Sequence, residues 1–133
     1  MPFEVEDVTM KKPTRIKALQ AKSKRLTAYV LKQQQRTDPH VVLVASSSNP
    51  ALSFIVAIKF DQHGTVHARC TCEWARHGGV ACSHVIAALS KLASTKNRSL
   101  SFWLTPEEAH RQKQSLFRLT AGNEDVWITS RAA

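Results

Sequence analysis

Cys70-Thr71-Cys72-Glu73-Trp74-Ala75-Arg76-His77-Gly78-Gly79-Val80-Ala81-Cys82-Ser83-His84 decides how the rest of the chain is read. All three cysteines of the sequence lie in it, as a Cys-x-Cys pair and a Cys-x-His pair separated by nine residues. Three thiols and an imidazole are the donor set of a tetrahedral zinc ion. Iron–sulfur clusters are usually held by four thiolates, so a histidine among three cysteines favours zinc. The expected ligands are Cys70, Cys72, Cys82 and His84, with Zn2+ as the cofactor. His77, between the two pairs, is the rival ligand, but four donors already close the shell.

The surroundings of the two pairs say how they meet. Thr65 to Cys72 reads as a strand in which Val66, Ala68, Cys70 and Cys72 share one face. Both thiols therefore project to the same side, which a helix would not achieve at i, i+2. Gly78-Gly79 lets the chain reverse and bring the second pair back to the first. Beyond it, Val85, Ile86, Leu89 and Leu92 form a helical stripe. Ser83 stands near that helix's N-cap, with His84 in the first turn. The metal is thus expected to tie a strand end to a helix start.

Upstream of the site, Asp61-Gln62-His63-Gly64 is a tight turn in which Gly64 supplies a positive φ. Before it, Leu52, Phe54, Val56, Ile58 and Phe60 alternate as a strand, and Val41 to Ala45 is a β-branched run. Pro13 and Thr14 mark a helix start. From there to about Gln35 no Gly or Pro intervenes, and Ile16, Leu19, Leu26 and Val30 fall on one helical stripe. Downstream, Thr105-Pro106-Glu107-Glu108 is a helix start with a Thr N-cap and Glu108 at the capping-box position. That helix is expected to run to about Gln114. Leu116–Leu119 and Val126–Thr129 read as short strands around a hairpin loop.

The expected fold class is α+β: a long basic N-terminal helix packed on a three-stranded antiparallel sheet, a zinc site joining strand end to helix, and a small C-terminal helix plus hairpin. Residues 1–12 are expected to be an extended lead-in, 13–99 the helix, sheet and finger, with its core at about 52–93, and 100–133 the C-terminal extension.

The net charge is +9 and the pI near 10.0, a long-range attraction for polyanions. Nine Lys/Arg and no acid lie between Val8 and Thr37. A solvated helix face usually mixes signs, so this stretch points to phosphate contact. Lys17, Lys24, Arg25 and Lys32, with Arg69, Arg76 and Lys91 around the finger, are the candidate nucleic-acid contacts. Lys96 and Arg98 add to the same positive surface; the rings of Trp74 and His77 are of a kind that stacks on bases of single strands, although Trp74 reads first as a core or lid residue over the zinc. DNA is favoured over RNA as the partner. The acidic N-terminus has no apolar signal core, and no apolar run of about 18 residues suggests a membrane span. Clustered reduced thiols fit an intracellular protein of the cytoplasm, nucleoid or nucleus.

The sequence argues against an enzyme. Four protein donors leave no open position on the zinc for water. The His-x-Glu and Pro-Cys-x-x-Cys of zinc deaminases are missing, as is any phosphate-binding glycine loop. Glu107-Glu108 reads as a helix cap, not as an acid–base pair.

Cys70-x-Cys72-x9-Cys82-x-His84, preceded by a strand and followed by His84-Val85-Ile86-Ala87-Ala88-Leu89, resembles the SWIM zinc finger, whose pattern is C-x-C-x(n)-C-x-H. The resemblance covers about residues 52–93. It implies zinc binding by those four residues and a fold of strands followed by a helix. SWIM modules occur in chromatin-remodelling ATPases, transposases and recombination factors, and serve DNA binding or protein–protein interaction. The alternative role is therefore an adaptor subunit of a larger DNA-processing complex, docking through the finger or through Phe102-Trp103.

Overall fold

The computed structural model describes residues 12–34, 38–46, 52–72, 82–120 and 125–133. Its centre is a curled seven-stranded mixed sheet with three short helices. Helix α1 spans Lys12–Ser23 and is followed by β1 (Leu26–Lys32), β2 (His40–Ser46), β3 (Ser53–Phe60) and β4 (Thr65–Cys70). Then come α2 (Ser83–Ser94), β5 (Arg98–Trp103), α3 (Pro106–His110), β6 (Ser115–Thr120) and β7 (Val126–Ala132). The strand order is β1-β2-β3-β4-β6-β7-β5. Every neighbouring pair is antiparallel except β4–β6, which is parallel.

This corrects the expected fold. The N-terminal helix ends at Ser23, and Leu26–Lys32, expected to continue it, is an edge strand. Leu26 and Val30 are four residues apart, a spacing that serves a helix stripe and one face of a strand equally. The choice falls to the neighbours. Thr27, Tyr29 and Val30 favour a pleated surface, and β1 pairs Leu26 with Ser46, Ala28 with Val44 and Val30 with Val42. That pairing covers Val42 and Val44, which are fully buried. The three-stranded sheet becomes seven-stranded because β1 joins one side and the β6–β7–β5 set joins the other through the β4–β6 pairing.

The expected meander of β2, β3 and β4 is present, with Val42 opposite Val56 and Val56 opposite Cys70. Gly64 takes a φ of 78° in the β3–β4 turn. At α3 the cap forms as expected: Thr105 Oγ1 accepts from the Glu108 amide at 3.3 Å. The helix is shorter than expected and stops at His110. The lead-in before Lys12, Trp74, Arg76, His77, Gly78-Gly79 and most of the hairpin loop lie outside the described residues.

Helix α2 lies in the hollow of the sheet. It touches β1 to β5 and α1, although β1 and β5 are the two edges of the sheet. Six strand spacings of about 4.8 Å would separate the edges of a flat sheet by roughly 29 Å. A 12-residue helix is only about 18 Å long. Contact with both edges therefore requires the curl. The core packs Val85, Ile86 and Leu89 of α2 on Val56, Ile58, Val66, Phe102, Leu119 and Ile128 of the strands, with Ile16 of α1 beside them. Among the described residues, no helix is long and apolar enough to cross a membrane.

Candidate metal centre

The end of β4 and the start of α2 meet over β3. Cys70 shares the inward face with Val56 and Val42 through the ladder. Beyond Cys70 the chain stays tied to β3: the Thr71 amide donates to the Ile55 carbonyl at 3.2 Å, and the Ile55 amide donates to Thr71 Oγ1 at 3.1 Å. That brace carries the alternation on to Cys72. Cys82 is the N-cap of α2, one residue earlier than the Ser83 expected there, and its carbonyl accepts from the Ile86 amide at 3.2 Å. His84 falls in the first turn, and its ring lies on Phe54 of β3 with centroids 4.2 Å apart.

The donor atoms of Cys70, Cys72, Cys82 and His84 all lie within 4.8 Å of one another. Ligands at zinc distances around a tetrahedron sit roughly 3.3–3.8 Å apart, so a contraction of no more than about 1–1.5 Å closes the shell. Cys72 and Cys82 are buried, and Cys70 is half-buried. His84 Nδ1 is buried with no hydrogen-bond partner. Such an atom costs about 1–3 kcal/mol if left unmatched. A buried unmatched imidazole nitrogen beside three thiols is the arrangement that a metal ion resolves.

The electrostatics point the same way. A hydrogen bond from Cys70 pushes the Cys82 thiol well below its ordinary range, and His84 and the Val85 amide at the helix start add to the shift against the cost of burial. Cys70, which supplies that hydrogen bond, is correspondingly raised. Cys82 stands at the N-terminal end of α2, where a thiolate is favoured. Bound zinc supplies the charge that lets the remaining thiols ionise.

Residues 54–93, running from Phe54 to Ala93, match the family model of the SWIM zinc finger. The chain carries a SWIM zinc finger. No curated protein and no solved structure matches the chain. The SWIM finger here consists of β3, β4 and α2, and Cys70, Cys72, Cys82 and His84 make its zinc site. The same three elements supply much of the central core, so the metal closes the middle of the sheet and not an appendage. The contribution of Phe54 beneath His84 was not visible in the ligand spacing. Its only signal was its place in the alternating strand.

The basic residues singled out in the sequence do not form one patch. Lys17 Nζ sits 3.6 Å from the centre of the Trp103 ring. Burial lowers the pKa of Lys17, opposed by Glu108. Lys32 pairs with Asp38 at 3.2 Å. Arg69 alternates with Cys70 and Ala68 along β4 and so faces the opposite side of the sheet from the zinc ligands. Arg25 is exposed and engaged in an interaction of its own. Arg76 lies outside the described residues.

Lys24 and Lys91 do converge. They line a groove of about 720 Å3 together with Arg98 and Arg131. One wall is the end of α1 and the start of β1, the other is β5, and the floor is the outward face of α2. Ser90, Lys91 and Ser94 supply that floor, and Ser23, Thr27, Ser99 and Ser101 add hydroxyls from the walls. Among the described residues, no Asp or Glu side chain lines it. Gln20 fixes α1 to β5 through a 3.0 Å bond from Nε2 to the Leu100 carbonyl. Arg98 is anchored on Ser130, donating from Nε to the hydroxyl at 2.9 Å and from a terminal nitrogen to the carbonyl at 2.8 Å. Arg131 was missed as a site residue because only the curl brings β7 and β5 round to α1. Phe102 is fully buried, whereas Trp103 is half-buried, with its indole N–H donating to Thr129 Oγ1 at 3.0 Å.

Proposed function

We propose that this protein is a non-enzymatic module that binds nucleic acid, DNA in preference to RNA, along the groove of Lys24, Lys91, Arg98 and Arg131. The observation that carries the reading is the make-up of that groove: among the described residues, four cations, several hydroxyls and no Asp or Glu side chain between the two edges of the curled sheet. Phosphates are contacted by such a mixture of Lys, Arg, Ser and Thr. The overall charge of +9 adds long-range attraction. Zinc acts indirectly, since it fixes the N-terminus of α2, the helix that floors the groove. Four protein donors leave the metal no vacant position for a reacting water.

The test is fluorescence anisotropy with labelled single- and double-stranded DNA and the matching RNAs at about 50 mM salt, followed by a salt titration. Binding should weaken steeply as salt rises. Replacing Lys24, Lys91 and Arg131 together by alanine should lower the slope of log K against log salt by about two to three. No binding to any of the probes overturns the nucleic-acid reading. Binding unchanged in the triple variant overturns the groove.

A second reading, an adaptor for a larger complex, is favoured by the outer face of β1–β3. Tyr29, Leu43 and Ile55 stand in one cross-strand row there, and Tyr29 and Leu31 are each more than half exposed. Tyr29→Ser with Leu31→Ser separates the two readings. It should leave DNA binding intact and abolish recovery of a protein partner if the adaptor role is real.

A further inference from the structure

The curl of the sheet leaves a second hollow, at the end of α2 away from the zinc. It measures about 510 Å3, within the range of small-molecule sites. Its walls are apolar: Leu92 and Ala93 of α2, Leu100 of β5, Phe117 of β6 and Phe60 at the end of β3. Phe60 is 38% exposed, an unusual position for a ring whose neighbours Val66 and Ile58 are buried. It is held edge-on to His40, with ring centroids 5.5 Å apart and planes at 82°.

The charged groups that line this hollow are of one sign. Lys96 and Arg98 both line it, and among the described residues no Asp or Glu does. Among the described residues, neither cation forms an ion pair. The turn between α2 and β5 brings them there. Asn97, between them, takes a left-handed φ of 58°, the conformation that ends a helix sharply. The turn is secured by bonds from the Lys96 amide to Ala93, from the Asn97 amide to Ser94 and from the Ala133 amide to the Asn97 carbonyl. Arg98 is further fixed on Ser130. A preset cation pair beside an open apolar wall favours a ligand with both features. The pKa of His40 is lowered first by burial and then by Lys96, so the site disfavours further positive charge.

We propose that this hollow binds a small amphipathic organic anion, its apolar body against Phe60, Phe117 and Leu100 and its carboxylate or phosphate head at Lys96 and Arg98. The site is separate from the zinc; Arg98 and Leu100 line both this hollow and the basic groove, whereas Lys96, Phe60 and Phe117 line this hollow alone, so variants at Lys96 test it apart from DNA binding.

The experiment is calorimetric titration of the zinc-loaded, full-length protein with decanoate, with decyl phosphate, and with decyltrimethylammonium as the cationic counterpart, all below their micelle concentrations. Saturable one-to-one binding of decanoate or decyl phosphate, with the cation at least about tenfold weaker, is the expected result. Binding of both anions assigns the site to the shared chemistry, and binding of one alone assigns the head group. Lys96→Glu, a change at an exposed residue, should weaken anion binding about tenfold or more. Ala93→Trp, which fills the hollow, should abolish it, with zinc content and melting temperature verifying that the variant folds. No saturable binding of either anion overturns the proposal. So does equal binding of the cationic amphiphile, or binding that Lys96→Glu leaves unchanged.

Discussion

The His84 ring lies over the Phe54 ring, with centroids 4.2 Å apart and planes inclined by 39°. Phe54 is on the strand before Cys70 and Cys72, and His84 is on the helix after them. The contact therefore sets the direction in which the fourth ligand approaches the other three. Residues that orient a metal-bound imidazole are typically worth about 10- to 100-fold in metal affinity.

Phe54→Leu keeps an apolar side chain but removes the ring. Zinc affinity should fall about tenfold, and stability of the zinc-loaded protein should drop by about 1 kcal/mol. Competition with a chromophoric chelator measures the first and thermal melting the second. An unchanged zinc affinity would mean that the ring contact is only packing.

Removing the metal should do more than loosen the loop between the cysteine pairs. Helix α2 touches five strands and α1, so releasing its N-terminus withdraws the centre of the core. Chelation, or Cys82→Ala, should lower the melting temperature by about 10 °C or more and reduce helical circular dichroism in one cooperative step. Apparent zinc affinity should also fall as pH drops, because thiols and imidazole must lose protons to bind. Full retention of the melting temperature after complete chelation would refute the structural role.

The site was legible because its chemistry is local. Ligand spacing, strand alternation and the helix stripe fix Cys70, Cys72, Cys82 and His84 without distant information. The same holds for the Gly64 turn and the Thr105 cap, each specified within four residues. The errors arose where a local pattern had two solutions or none. Leu26 and Val30 satisfy both periods, and the decision came from Val42 and Val44, which needed a covering strand. The β4–β6 pairing joins Thr65 to Arg118 and Val66 to Leu119. No turn connects such a parallel pair, so nothing in either segment announces the other. The groove shares that fate: Lys24 of the turn after α1, Lys91 of α2, Arg98 of β5 and Arg131 of β7 are united only by the curl.

The β3–β4 turn permits a clean test of backbone cost. A Cβ added at Gly64 would meet no heavy atom within 4 Å, yet φ there is 78°. Gly64→Ala should therefore destabilise by about 1–2 kcal/mol through the left-handed conformation alone. A thermal melt with no loss of stability would show that the turn adapts.

Asp61 organises the same turn and supplies a pH-dependent test. Its side chain accepts from the Thr65 amide at 3.0 Å and the His63 amide at 2.8 Å, and pairs with His67 at 3.1 Å. The Thr65 bond is the main reason that its pKa is held down to about 2, with His67 next. A depressed carboxyl stabilises the fold above its unfolded value and loses that effect as pH falls from about 4 to about 2. At pH 7 the benefit is fully present, so Asp61→Asn should lower the melting temperature there. An unchanged melting temperature would show that the turn holds without the charge.

Two lysines identified by the same sequence argument should behave oppositely. Lys17 is held over Trp103 at 3.6 Å, and that ring is fixed by Thr129. Its charge is committed to the junction of α1 and β5. Lys91 stands on the exposed floor of the basic groove. Lys17→Ala should cost about 0.5–1 kcal/mol of stability and leave the salt slope of DNA binding unchanged. Lys91→Ala should leave stability within about 0.5 kcal/mol and lower the salt slope by about one. Thermal melts and anisotropy titrations on the two variants separate these outcomes. If Lys17→Ala alone reduced the salt slope, the phosphate-contacting surface would have to lie along α1 and not across α2.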